Sequence, residues 1–148
     1  MGTAIKIRKA RRSDADRIAQ LSGELGYPAS AAQIAVRLRQ LTPVSKHAVF
    51  VAESPEAATG VVGWVHVSVS HLLESDVRAE VNGLIVAEGQ RSAGAGAKLL
   101  EAAEAWARRR GCRGMNVRSN VIRERAHKFY ERQGYEHYKS QKAFRKPL

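Results

Sequence analysis

From Arg78 the chain reads RAEVNGLIVAEGQRSAGAGAKLLEAAEAWARRR, an apolar strand pattern that passes through a glycine-bearing turn into an alanine-rich helical pattern. A strand that delivers the chain directly to a helix start narrows the fold to a sheet with helices laid on it. The spacing predicts a helix from about Ala95 to Arg110 that buries Leu99, Ala102, Ala103 and Trp106, stopped by Gly111 with arginines in its last turn. Gly83, inside the strand pattern, predicts a bulge or a close backbone approach. In the turn itself, Gly94 and Gly96 let the backbone bend tightly, and the helix start offers N–H groups that no turn of helix can satisfy. Such a place suits phosphate.

Upstream, AIKIRKA alternates as a strand, and SDADRIAQLSGEL opens on Ser13 as N-cap and spaces Ile18, Leu21 and Leu25 along one helical face. GYPAS breaks that helix. Ser30 then caps a second, with Ile34, Leu38 and Leu41 at helical spacing before Pro43. HAVFVAE and TGVVGWVHVSVS follow as alternating strands joined by SPEAA, the pattern of an antiparallel hairpin. Downstream, GMNVRSN reads as a short strand, RERAHKFYERQG as a helix ending at Gly134, and YEHYK and KAFRK as a last pair of strands. The order β-α-α-β-β-β-α-β-α-β-β describes one α/β domain over 1–148, a mixed central sheet with helices on both faces.

A chain of 148 residues with 44% hydrophobic content is sized for one core. It contains no run of 18 apolar residues, and its N-terminus lacks the apolar stretch of a signal peptide, so a cytoplasmic protein is expected, without a membrane partner. The single cysteine, Cys112, forms no intramolecular disulfide, and no histidines have the paired spacing of a metal site, so no metal is expected. The net charge of +11 favours anionic partners. Few aromatics lie among the basic residues to stack on bases, which sets nucleic acid behind a phosphorylated cofactor.

The turn matches neither of two common phosphate-binding patterns. A Walker-type loop needs Ser or Thr after its lysine, and Leu99 follows Lys98; a dinucleotide fingerprint needs a third glycine where Leu99 stands. What remains is Arg91-x-x-Gly94-x-Gly96 after an apolar strand, which resembles the acetyl-coenzyme A motif of the GNAT superfamily of N-acetyltransferases. Ala126, Tyr130, Glu131, Gly134 and Tyr135 resemble that family's Ala-x-x-x-Tyr-Glu-x-x-Gly-Tyr ending, and the element order agrees over nearly the whole chain.

The resemblance implies an acetyl-CoA-dependent N-acetyltransferase (an acyltransferase) acting by direct attack of an amine, with no covalent enzyme intermediate. It implies that Arg91, Ser92, Ala93, Gly94, Ala95 and Gly96 receive the pyrophosphate, and that Leu84, Ile85 and Val86 pair with pantetheine through backbone atoms. Tyr130 is then the proton donor to the departing sulfur, a role that suits a phenol protonated at neutral pH. Arg123 and His127 share Tyr130's helical stripe beside the cofactor, while Ile122, Ala126 and Phe129 face the core. Many relatives carry Asn where Arg123 stands, so Asn120 is an alternative source of the amide. Glu80 is the expected base, because a lysine-like amine with a pKa of about 10.4 is almost wholly protonated near pH 7; His66, His71 and His127 are weaker alternatives. A homodimer is compatible with the resemblance. A non-catalytic acetyl-CoA-binding module and a basic nucleic-acid-binding domain are the rival readings, and a small carboxylate-bearing amine is slightly favoured as acceptor.

Overall fold

The computed structural model describes residues 5–24, 26–43, 45–55 and 60–148. Its elements are β1 (Lys6–Lys9), α1 (Ala15–Glu24), α2 (Ala31–Leu41), β2 (His47–Glu53), β3 (Val61–Ser70), β4 (Arg78–Val86), α3 (Ala95–Arg109), β5 (Met115–Val117) and α4 (Glu124–Arg132), with short 3-10 turns at Arg12–Asp14 and Glu88–Ala93. The chain divides into two compact units, Met1–Val117 and Arg118–Leu148.

In the first unit the five strands lie in the order β1-β2-β3-β4-β5. The first three junctions are antiparallel and the last is parallel: hairpins join β2, β3 and β4, the α1–α2 pair returns the chain from β1 to an antiparallel β2, and α3 carries it from β4 over to a parallel β5. Directly paired residues share a face. Val51, Trp64 and Ile85 form one row across β2, β3 and β4, and they pack with Ile18 and Leu21 of α1 and Leu38 of α2. Ala52, Gly63 and Val86 form a row on the opposite face. There, a Cβ added to Gly63 would stand 3.1 Å from Leu99 Cδ1 of α3 and 2.8 Å from the Ile85 carbonyl oxygen. The sheet is therefore covered on both faces, as expected. Leu21, Leu99, Leu100 and Trp106 are essentially sealed from solvent, each aliphatic side chain gaining about 1.5–3 kcal/mol by burial.

Local chemistry sets the helix ends. Ser30 caps α2 as the sequence indicates: its hydroxyl accepts the Gln33 N–H at 3.1 Å, and its own N–H donates to Gln33 Oε1 at 2.9 Å. The start of α1 differs from expectation. Ser13 lies within the 3-10 turn, whose N-cap is Arg11, and the Asp14 carboxylate accepts the Arg11 N–H at 2.7 Å. Asp14 also takes a two-pronged contact from Arg8, 2.8 and 2.9 Å, and Arg8 bonds Glu53 across to β2. Burial alone would raise the Asp14 carboxyl, but these donors outweigh it and hold it below the usual range. Leu25, expected on the α1 face, lies outside the described residues.

In the second unit α4 ends where the sequence places a stop, with Gly134 at φ +91° and the Tyr135 N–H on the Tyr130 carbonyl at 3.0 Å. Two expectations fail here. YEHYK and KAFRK form no strand: 135–148 has no regular secondary structure, and Phe144 is 91% exposed. Alternation marks a segment that could join a sheet, but a strand draws its hydrogen bonds from a neighbour and cannot form on pattern alone. Ile122, expected in the core, precedes α4 and is 80% exposed.

Candidate cofactor and catalytic site

The junction of β4 and α3 is built around one register change. His66 of β3 pairs with Gly83 and the next residue, Val67, pairs with Val81, so Asn82 is an extra residue in β4. This is the bulge anticipated at Gly83. The ring of Trp64 explains why that position lacks a side chain, since a Cβ on Gly83 would fall 2.7 Å from Trp64 Cη2. A bulge bends and twists its strand. Parallel pairing with β5 covers only Ala79–Met115, Glu80–Asn116 and Val81–Val117, while β4 continues to Val86. Leu84, Ile85 and Val86 hence pair with β3 on one side, and their other backbone edge takes no part in the β5 ladder.

Beyond β4 the chain passes through the 3-10 turn, which contains Arg91, Ser92 and Ala93, and reaches Gly94 at φ +82°, the left-handed region where a Cβ is strained. Gly94 is the N-cap of α3, and no side chain caps the helix. Lys98 is the first residue whose N–H reaches back to the Gly94 carbonyl, at 3.1 Å. The N–H groups of Ala95, Gly96 and Ala97 precede that bond and have no carbonyl one turn back to meet. A Cβ on Gly94 would meet nothing within 4 Å, so there is open space at the cap. Gly96 itself is helical. Arg91 turns back to donate from Nε to the Val86 carbonyl at 3.2 Å, tying the turn to the strand end. The side chain of Ser92 lies outside the described residues.

Glu80 is half-buried on β4, directly opposite Ser68 of β3 and Asn116 of β5. Asn82 donates from Nδ2 to Ser68 Oγ at 2.8 Å. Ser68 is in turn opposite His47 of β2, and His47 Nδ1 lies 3.0 Å from His66 Nε2, the two rings stacked at 5.2 Å. Burial, with His47 adding to it, pushes His66 down to about 4. His47, Ser68 and Asn82 carried no motif, and only the strand register brings them beside Glu80. His71 is exposed between β3 and β4, and Cys112 is a half-buried free thiol that burial pushes up, a poor nucleophile.

The second unit holds the remaining candidates. Asn120 closes the turn into α4: its Oδ1 accepts the Ile122 N–H at 3.1 Å, and its carbonyl accepts from Arg123 N at 3.0 Å and from His127 Nε2 at 2.8 Å. Arg123 is the N-cap of α4. Tyr130 is half-buried between the edges of Phe129 and Tyr135, at 5.3 and 6.0 Å between ring centres. Burial pushes its hydroxyl up and Arg123 offsets this only in part, so the phenol keeps its proton at neutral pH. Among the described residues no three His, Cys, Asp or Glu side chains gather as a metal site, and no helix is long and apolar enough to cross a membrane.

A β4 that outruns its parallel partner and leads into an uncapped helix start fits the α/β acetyltransferase class that the sequence resembles, and the comparisons with known proteins agree. The model of the acetyltransferase (GNAT) family matches residues 16–135, and the chain belongs to that family. No curated protein sequence matches it. Among solved structures, the aminoglycoside N-acetyltransferase AAC(6')-Iy in complex with CoA is 18% identical, with a TM-score of 0.86 over 100% of this chain and 98% of that one. Glucosamine-6-phosphate N-acetyltransferase from Arabidopsis thaliana is 19% identical, with a TM-score of 0.80 over 96% and 98%. A transcriptional regulator from Bacillus halodurans C-125 is 21% identical, with a TM-score of 0.80 over 95% and 100%. Identities this low establish the fold alone.

Acetyl-CoA is the co-substrate of this family, and the residues present fit it. Its pyrophosphate needs backbone donors unencumbered by side chains, which the Gly94 cap and the first turn of α3 supply. Its amide-bearing pantetheine arm needs a strand edge, which β4 supplies beyond Val81.

Proposed function

We propose that this protein transfers the acetyl group of acetyl-CoA to an amine by direct attack. The observation that supports this most is the split register of β4, which frees a backbone edge leading straight to an uncapped helix start. Acetyl-CoA supplies an activated acyl thioester. Backbone N–H groups of the Arg91–Gly96 turn hold its phosphates, and the edge at Leu84, Ile85 and Val86 orients the arm. Glu80 takes the proton that the acceptor ammonium must lose before its lone pair can attack. Tyr130 gives a proton to the sulfur as it leaves. Arg123 and His127 take the place on α4 that the family gives to cofactor contacts, with Asn120 holding both through its carbonyl.

The acceptor we favour is a small amine that carries a carboxylate, on the ground of the +11 net charge. The test is a panel of amines, amino acids, amino sugars and peptides scored by coenzyme A release, beside calorimetry with acetyl-CoA. Binding with turnover on one class supports the enzyme. Binding without turnover on any class makes the chain a non-catalytic acetyl-CoA-binding module, and absence of binding overturns the cofactor assignment.

A further inference from the structure

One face of the sheet changes character along its strands. The row Val51, Trp64 and Ile85 is apolar and lies under α1 and α2, whereas the row His47, Ser68, Glu80 and Asn116, on the same face, is polar across four strands. All four of these residues are half-buried. Directly opposed side chains have Cβ atoms about 4.5–5.5 Å apart, so a hydroxyl at Ser68 stands between a carboxylate and an imidazole, within reach of each directly or through one water. Asn82 Nδ2 donates to Ser68 Oγ, which leaves the hydroxyl hydrogen as the donor this serine can still offer. Arg78 lies on the same face one row further along, with its guanidinium against Gly114.

We propose that this row is a proton exit for the transfer reaction, in which His47 receives at Nε2, by way of Ser68, the proton that Glu80 removes from the acceptor, and His66 is the positioning residue that orients His47. The inference rests on the acetyltransferase reading. The 3.0 Å contact joins His47 Nδ1 to His66 Nε2, so one of the two nitrogens must carry the hydrogen. If His47 Nδ1 donates, His47 Nε2 keeps its lone pair and can accept a proton; the resulting imidazolium still donates the same bond to a His66 that burial keeps neutral. The proton balance is complete: the ammonium loses it to Glu80, Glu80 passes one to Ser68 as Ser68 passes one to His47, and His47 releases it to water.

Two measurements decide the matter. Nitrogen-15 NMR of histidine-labelled wild-type protein should find His47 in the Nδ1–H form, and His66→Ala should shift it toward Nε2–H; a wild-type His47 already in the Nε2–H form overturns the proposal whether or not an acceptor is known. In turnover, His47→Ala should lower kcat about tenfold or more with acetyl-CoA affinity unchanged, and added imidazole should restore much of the loss. His66→Asn, which keeps an acceptor for His47, should lose less than His66→Ala. Wild-type rates in His47→Ala would also overturn it. A wild-type protein that fails to bind acetyl-CoA sinks the enzyme reading instead, and the tautomer still reports on the pair.

Discussion

Gly94 and Tyr130 carry the sharpest expectations of any single residues. Gly94→Asp places a carboxylate where there is open space at the α3 cap, and aspartate tolerates the left-handed backbone better than most residues. The fold should survive while acetyl-CoA affinity, read by calorimetry, falls by orders of magnitude through repulsion of the pyrophosphate; an unchanged Kd would remove the turn from the binding site. Tyr130→Phe keeps the ring beside Phe129 and Tyr135 and removes the hydroxyl. Its kcat in single-turnover assays should fall about 10²–10⁴-fold with little change in cofactor affinity, the usual range for a lost general acid. Glu80→Gln should depress the rate most near neutral pH and recover in part at high pH, where free amine is present without a base. The motif residues were legible in the sequence because glycine spacing reports backbone conformation. Ser68 and His47 were not legible, since their neighbours lie on other strands and the extra residue at Asn82 sets who faces whom.

At the level of elements, β3 is clamped from two sides. Gly63→Ala would push a methyl to 2.8 Å from the Ile85 carbonyl oxygen, which is strand backbone and cannot swing away as a side chain would. We expect a loss of about 1–3 kcal/mol by urea unfolding, with acetyl-CoA binding weakened as well because the displaced strand is β4. The β2–β3 pair also makes stability depend on pH. His66 stays neutral in the folded state down to about 4, whereas an unfolded histidine protonates near 6.5. The unfolded chain therefore binds the extra proton first, so stability should be full above about pH 6.5 and fall as pH drops from there toward 4. His66→Asn should flatten that slope in thermal melts; an unchanged slope would assign the acid sensitivity to other groups. Strands and helices of the first unit were readable from apolar period, and the Ser30 cap from its Gln33 partner. Ser13 does not cap α1 because the 3-10 turn begins before it, at Arg12, where the Asp14 carboxylate, held by Arg8, takes the Arg11 N–H. The two C-terminal strands were misread because YEHYK and KAFRK specify alternation but not a partner.

The molecule as a whole is a strong cation, and that bears on the acceptor. At +11 it repels polycations over about 8 Å at physiological salt. Spermidine and aminoglycosides should have lower kcat/KM than carboxylate-bearing amines at low salt, the gap narrowing as salt rises; polycations that win at low salt would point to Glu74, Asp76 and Glu80 as an acidic pocket. A different consequence concerns the lifetime of the protein when no cofactor is at hand. An unzipped strand edge is a place where other chains can add, the hazard that most sheets hide with charge or closure. A cofactor bound along β4 as proposed would act as the missing strand, closing that edge and, at a hundred times its Kd, adding about 2.7 kcal/mol to the folded state. Abundance of this protein in a cell should then follow the supply of coenzyme A, with the apo form the first to be unfolded, aggregated or degraded.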